Sequence, residues 1–247
     1  MKVDDTKCIG CGRCRPYCTM DAIAYARNAV GKPCARVDED ECVDCGVCYR
    51  AQVCPAQALY EPSPVWPRSV RGTFSNPLVE HKETRVPGRG TEEMKTTDVT
   101  GRYKSGEAGM AVEMGRPGIG ARFYDIEKVA GALAKRGFVF EEKNPITGLM
   151  SDKHTGKMKE DVLNEKVLSA IIEMTVPLER ISEVIAAVKE VSTQISTVCS
   201  FDLTCKVESD GMIPAFEIAR KAGLKLTLNG KTNLGLGRPL FVEKVRP

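Results

Sequence analysis

The stretch CVDCGVCYRAQVCP, residues 42 to 55, sets Cys42, Cys45 and Cys48 in strict step and brings Cys54 in late, directly before Pro55. Cysteines that only fill a core have no reason to keep time, so the spacing points to ligands. Working outward, the chain repeats the unit. Val3-Asp4 followed by Cys8, Cys11, Gly12 and Cys14 returns as Val37-Asp38 followed by Cys42, Cys45, Gly46 and Cys48. The ends match as well, because Cys18-Thr19-Met20-Asp21-Ala22-Ile23 echoes Cys54-Pro55-Ala56-Gln57-Ala58-Leu59. Two copies of one unit imply a pseudo-twofold pair of metal sites.

Three cysteines at this spacing wrap a short loop around a metal centre, with Gly12 and Gly46 letting the backbone approach it and take positive φ. A pair of zinc ribbons is the bland alternative. Zinc uses C-x2-C pairs and four ligands, which leaves the third in-phase cysteine of each copy over. Plain core packing is the other alternative, and it does not account for the period.

Residues 1 to 60 resemble the bacterial two-cluster ferredoxins, whose C-x2-C-x2-C-x3-C-P run gives its fourth cysteine to the other cluster. Carried over by position, the resemblance implies two [4Fe-4S] clusters. One would take Cys8, Cys11, Cys14 and Cys54, and the other Cys42, Cys45, Cys48 and Cys18. Two departures stand out: Thr19 replaces the usual proline, and the second run is two residues longer before Cys54. Crossed ligation tolerates the insertion, since Cys48 and Cys54 then serve different clusters, but it alters the surroundings of both. Arg13, Arg15 and Arg50 lie close in sequence to offset the clusters' negative charge.

Composition agrees with an intracellular redox protein. Nine of the eleven cysteines fall within the first 54 residues, and Met1-Lys2-Val3-Asp4-Asp5 opens into a polar run with no apolar signal region. The expectation is a cytoplasmic chain with reduced thiols, from an anaerobe if a second resemblance described below holds. No apolar run is long enough to span a bilayer. A net charge of +3 is too small to argue for nucleic acid. At 247 residues the chain is long enough for two domains.

Residues 61 to 107 read as an extended linker without sustained periodicity, carrying Pro62, Pro64, Pro67, Pro77 and Pro87. Its length suggests a strap across a surface. From residue 62 to 104 it holds eight Lys/Arg against five Asp/Glu.

Residues 108 to 247 follow a β-α-β, β-α-β rhythm. Met110, Val112 and Met114 alternate as a strand; Ile126, Val129, Ala130 and Leu133 recur at helical spacing between Asp125 as a cap and Gly137 as a stop; Phe138 and Phe140 begin a second strand. The order returns as a strand from Leu168 to Val176, a helix from Pro177, and a strand from Cys199 to Val207. The fold class expected is α+β, the second domain being a ferredoxin-like βαββαβ sandwich. An extra helix over Pro214 to Ala222 and a hairpin at Asn229-Gly230 complete it. The name concerns topology and implies no clusters there. Cys199 and Cys205 share one side of a strand about 20 Å apart and read as core. Cys34 reads as a packed residue.

The candidate ligand site in this domain is the loop Gly115-Arg116-Pro117-Gly118-Ile119-Gly120-Ala121-Arg122. Backbone N–H groups and the guanidiniums of Arg116 and Arg122 would face the phosphate of a flavin or nucleotide. It matches neither the dinucleotide nor the P-loop fingerprint, and a sharp turn, where glycine permits the backbone and proline stops a strand, is the favoured reading of Gly115, Gly118 and Gly120. A similar phrase recurs at Gly235 to Pro239. His81 and His154 fall in polar loops with no nucleophile beside them, and no catalytic set emerges.

The function expected is a single-electron relay to or from an oxidoreductase subunit, a flavoprotein. A rival follows from a second resemblance: the phrases at 88–93, 98–102 and 230–233 are similar to the iron–sulfur portion of 6-hydroxynicotinate reductases. That would imply a ferredoxin-linked reductase binding flavin or substrate in its second domain. A ligand-sensing docking module is the third reading.

Overall fold

In the computed structural model the described residues are 1–82, 85, 103–116 and 118–226. The front unit is built from four short strands: β1 (Lys2–Val3), β2 (Ile23–Arg27), β3 (Pro33–Val37) and β4 (Leu59–Tyr60), with helix α1 (Val47–Arg50) in the second copy. β1 pairs with β4 through Val3 and Leu59, and β2 pairs with β3 through Ile23 and Val37, both antiparallel. The start of each copy therefore meets the end of the other. Backbone bonds repeat the exchange: Asp4 N–H donates to the Ala58 carbonyl and Asp38 N–H to the Ala22 carbonyl, each at 2.8 Å.

The strap from residue 61 is not wholly extended, contrary to the expectation from its prolines. Helix α2 (Ser69–Ser75) forms within it and buries Val70, Arg71, Phe74 and Ser75. A helix this short is marginal alone. Tertiary contacts hold it: the Phe74 ring stands edge-on to Phe123 at 5.6 Å, and Ser75 Oγ accepts from Leu168 N–H at 2.9 Å.

The second unit is organised on β5 (Glu107–Met114). Between it and the second long strand come β6 (Ala121–Arg122), α3 (Phe123–Ala134), α4 (Pro145–Gly148), β7 (Met150–Asp152), β8 (Lys157–Met158) and β9 (Lys166–Val167). Then follow β10 (Ala170–Pro177), α5 (Ile181–Ser192), β11 (Cys199–Cys205) and α6 (Pro214–Lys221). The central antiparallel sheet has the order β10-β5-β11. The second strand expected at Phe138 and Phe140 is reduced to one bridge, Phe140 to Met174, on the outer side of β10. Register puts Met110 opposite Met174 and Leu203, and Val112 opposite Ile172 and Phe201. This apolar face packs with Ile126, Val129 and Leu133 of α3 and Val184, Ile185 and Val188 of α5.

Several boundaries differ from the sequence reading for local reasons. α3 starts ahead of Asp125, whose buried carboxylate accepts from Lys128 Nζ at 3.0 Å and Ser196 N–H at 3.1 Å, so it ties two elements together. The stretch after Phe140, expected as a polar connection, holds α4, capped by Asn144 Oδ1 accepting from Ile146 N–H at 2.8 Å. It also holds the β7–β8 hairpin. His154 is exposed as expected, whereas His81 is fully buried with its ring edge-on to Phe74 at 4.8 Å. The hairpin expected at Asn229-Gly230 lies outside the described residues.

Phe123 is fully buried where α3 meets α2. Phe123→Ala is expected to lower stability by about 3 to 5 kcal/mol, read as a shift of the denaturant midpoint at unchanged m-value.

Candidate metal centres

The exchange of repeat ends fixes where the late cysteines go. Cys18 lies five residues before Ile23, which is held against Val37; Cys54 lies five before Leu59, held against Val3. Each late cysteine is thus delivered to the loop of the opposite copy. One cavity is lined by Cys8, Cys11, Cys14 and Cys54 with Val3, Ala35 and Leu59. A second is lined by Cys18, Cys42, Cys45 and Cys48 with Met20, Ile23 and Val37. Gly12 and Gly46 take φ of 71° and 69° in the two loops, and a side chain at Gly12 would strike the Tyr25 ring.

The chemistry of the lining suits a polynuclear cation-rich group. Burial first, then repulsion from Cys45, Cys18 and Cys42, pushes the Cys48 thiol up to about 12. Burial also raises Cys14, with Cys8, Cys54 and Cys11 adding to it. Ligation by a metal group replaces the protons of such thiols. Backbone donors already point at the sulfurs: Ala22 N–H to Cys18 Sγ at 3.1 Å, Ala58 N–H to Cys54 Sγ at 3.3 Å, and Ala35 N–H to Cys8 Sγ at 3.3 Å. Such bonds favour the thiolate. In the second copy the Met1 nitrogen takes the place of Ala35 N–H, 3.8 Å from Cys42 Sγ, and also bonds Asp44. Thr19, the departure from proline, sets its hydroxyl 3.4 Å from Cys45 Sγ. Among the described residues no three His, Cys, Asp or Glu side chains close on a single metal ion. The quartets stand around cavities.

The two-residue insertion builds α1 and directs Arg50, which donates to the Cys45 carbonyl at 2.8 Å and to Asn76 Oδ1 at 2.9 Å. Arg15 pairs instead with Asp21 at 3.5 Å and lies over the Tyr25 ring; Arg13 is exposed. Cys34 is buried in the same core, and Cys199 and Cys205 pack on the main core from β11, as expected.

A model of the 4Fe-4S binding domain family matches residues 1–24. Ferredoxin-3 of Rhodobacter capsulatus is 31% identical over 77 residues, an alignment covering 23% of this chain and 74% of that protein. Through this front segment the chain belongs to the ferredoxins. It is an iron–sulfur protein of electron transfer with 4Fe-4S binding at its N-terminal end. No solved structure matches the chain. No helix among the described residues is long and apolar enough to cross a membrane.

The glycine loop has a different geometry from the one expected of an anion site. Arg116 donates to both oxygens of the buried Glu113 at 3.1 Å. Arg122 binds Asp40, Glu41 at 2.9 Å and the Asn164 carbonyl at 2.8 Å, so its charge joins the two units. Ile119 and Gly120 N–H groups turn inward to the Gly115 carbonyl, both at 3.1 Å. A side chain at Gly120 would strike the Val167 carbonyl and the tip of Met20, which lines the second cavity. Gly115, Gly118 and Gly120 thus form a tight turn seated beside the ferredoxin segment. The phrase at Gly235 to Pro239 lies outside the described residues.

Sequence reasoning missed Arg71, the residue that closes this junction. Buried in α2, it donates to the carbonyls of Glu39 at 2.9 Å, Asp40 at 2.7 Å and Cys42 at 2.9 Å, and to Glu165. Lys166 reaches Glu41 beside it. The signal was absent because every partner lies tens of residues away. Arg71→Ala leaves Glu165 and three carbonyls without their cation, and a loss of about 3 to 5 kcal/mol is expected. Glu165→Ala should recover part of that loss, measured in a double-mutant cycle.

Proposed function

We propose that this ferredoxin relays single electrons through two [4Fe-4S] clusters, and that the unit from residue 108 onward docks it to an oxidoreductase, a flavoprotein subunit. Cys8, Cys11, Cys14 and Cys54 hold one cluster; Cys18, Cys42, Cys45 and Cys48 hold the other. When bound, such clusters supply one-electron transfer at potentials set by their surroundings. The observation that carries the reading is the sorting of eight cysteines into two cavities, four to each, in the crossed pattern. A single zinc ion would need its sulfurs within about 4 Å of one another, and the spread of the quartets favours a cluster.

The chain's residues have three tasks here. The thiolates bind; the Ala22, Ala35 and Ala58 amides stabilise sulfur charge; Val3, Ile23, Val37 and Leu59 exclude water from the inner walls. The phrases similar to 6-hydroxynicotinate reductases lie at 88–93, 98–102 and 230–233, outside the described residues.

Anaerobic reconstitution is expected to give about eight irons per chain. Cys54→Ser should delete the same paramagnetic signal as Cys11→Ser, and Cys18→Ser the same one as Cys45→Ser. If Cys54→Ser instead removes the Cys45 signal, ligation is uncrossed and the assignment fails. Bound zinc, or one cluster in the intact chain, overturns the two-cluster relay. Co-purification with a flavin-containing subunit checks the docking role.

A further inference from the structure

The ferredoxin segment is strongly polarised in charge, and only one pole is covered. Residues 37 to 44 contain five acidic side chains and no basic one, whereas residues 1 to 36 contain seven Lys/Arg against three Asp/Glu. Four of those five are engaged by cations within the chain, and Asp38 instead accepts from the Asp40 and Glu41 N–H groups. Asp40 and Glu41 are bound by Arg122 and Lys166, Asp44 by Arg68 and the Met1 nitrogen, and Glu39 by Lys2. On the basic pole Lys7 pairs with Asp4 and Arg15 with Asp21, but among the described residues Arg13, Arg27, Lys32 and Arg36 have no carboxylate partner.

Of these, Arg13 lies within the ligand loop of the more open quartet, Lys32 reaches the turn before Cys8, and Arg27 ends the strand that carries Tyr25. Cys11 is the exposed cysteine of its cavity, and beside it Ile9 is 54% exposed and Tyr25 59% exposed. Direct contacts tie the patch together. The Tyr25 hydroxyl covers Gly12, Arg15 lies over the Tyr25 ring, Pro33 packs on Gly10, and Lys32 Nζ reaches the Thr6 carbonyl at 3.5 Å. Arg27 follows Tyr25 by two residues on β2, on the same side of the strand. An apolar centre beside an exposed ligand cysteine, ringed by cations, is the complement of a redox protein whose prosthetic group opens through a carboxylate rim.

Resting on the relay reading, we propose that the Ile9–Cys11–Tyr25 face is the external docking surface, that it takes an acidic redox protein, and that Arg13, Arg27 and Lys32 steer the encounter. One electron leaves the reduced quartet-held cluster and one ferric haem of the probe becomes ferrous; no bond or proton is exchanged.

The test uses the reconstituted full-length chain, reduced anaerobically, and stopped-flow oxidation by two haem probes of opposite surface charge: acidic ferric cytochrome b5 and basic ferric cytochrome c. With cytochrome b5 the second-order rate is expected to fall about tenfold or more from about 0.02 to about 0.5 M salt, and with cytochrome c to hold or rise. Arg13→Glu/Arg27→Glu/Lys32→Glu should lower the ratio of the cytochrome b5 rate to the cytochrome c rate about tenfold or more at unchanged iron content; any shift in reduction potential acts on both probes alike and leaves that ratio unmoved. Equal salt dependence for both probes, or a triple variant that leaves the ratio of rates unmoved, overturns the surface. So does tight binding of duplex DNA or anionic vesicles abolished by the same variant, which would reassign the cations. Failure of the relay reading is separately visible, because a chain without reducible clusters gives no electron transfer to either probe. The salt dependence of the unmodified chain decides the matter even if the triple variant does not fold.

Discussion

Two strand pairings, Val3 with Leu59 and Ile23 with Val37, are the constraint on which the rest depends. They make each half of the front unit complete only in the presence of the other. A segment of about 60 residues has little apolar surface to bury, and here five of the buried core residues are cysteines: Cys8, Cys14, Cys34, Cys42 and Cys48 stand beside Met1, Ala22, Ile23, Ala35, Ala58 and Leu59. Burial and neighbouring thiols push Cys48 up to about 12, a cost that a bridging metal group relieves by replacing the proton. Strand exchange and metal binding are two faces of one constraint. The exchange delivers the fourth thiol, and the bridged quartet in turn staples the exchanged ends.

The pseudo-twofold is broken by what each half touches. On one side a neutral amide, Ala35 N–H, meets Cys8 Sγ. On the other, guanidiniums of Arg71 and Arg50 bind the carbonyls of Cys42 and Cys45. Cationic groups near a metal centre favour its more reduced, more anionic form, so the two cysteine quartets sit in unequal fields even though their loops are near copies. The second unit contributes to this inequality through α2 and the glycine turn, which seat Arg71, Arg122 and Met20 at one junction.

What was legible in the sequence was whatever repeats. The cysteine period and its duplication could be read from residues 3 to 59, because metal ligation imposes spacing on a chain; the crossed pairing was implied by the resemblance to two-cluster ferredoxins. The alternation through β5 and β10 and the helical spacing of Ile126 to Leu133 and of Val184, Ile185 and Val188 were legible for the same reason: one buried face imposes one period. Short elements were not. The seven residues of α2 carry a glycine and follow three prolines, and their helicity comes from Phe74 against Phe123 and from Arg71 against distant carbonyls. The β7–β8 hairpin is two and three residues wide, too short to show alternation. Arg122 was read as facing an anion, which is right in chemistry and wrong in partner, since Asp40 and Glu41 lie some eighty residues earlier. His81 was placed in solvent because its neighbours are polar, whereas the ring that buries it belongs to α2.

Charge partition explains why such a chain would carry a second unit at all. A free electron carrier with both poles exposed can meet partners in many orientations, and each orientation sets a different distance from the partner's redox group to the nearer cluster. Neutralising the acidic loop with Arg68, Arg71, Arg122 and Lys166 removes one pole from the encounter and holds the Cys42 loop at a fixed junction. Long-range steering then acts from the remaining pole, where Cys11 is exposed. The buried half of the junction, Arg71 and Glu165, is screened little by salt, while the exposed cations around Cys11 are screened strongly. Ionic strength therefore separates the two contacts physically: the internal clamp persists where the external encounter fades, and the placement of the two cysteine quartets relative to an outside partner stays the same.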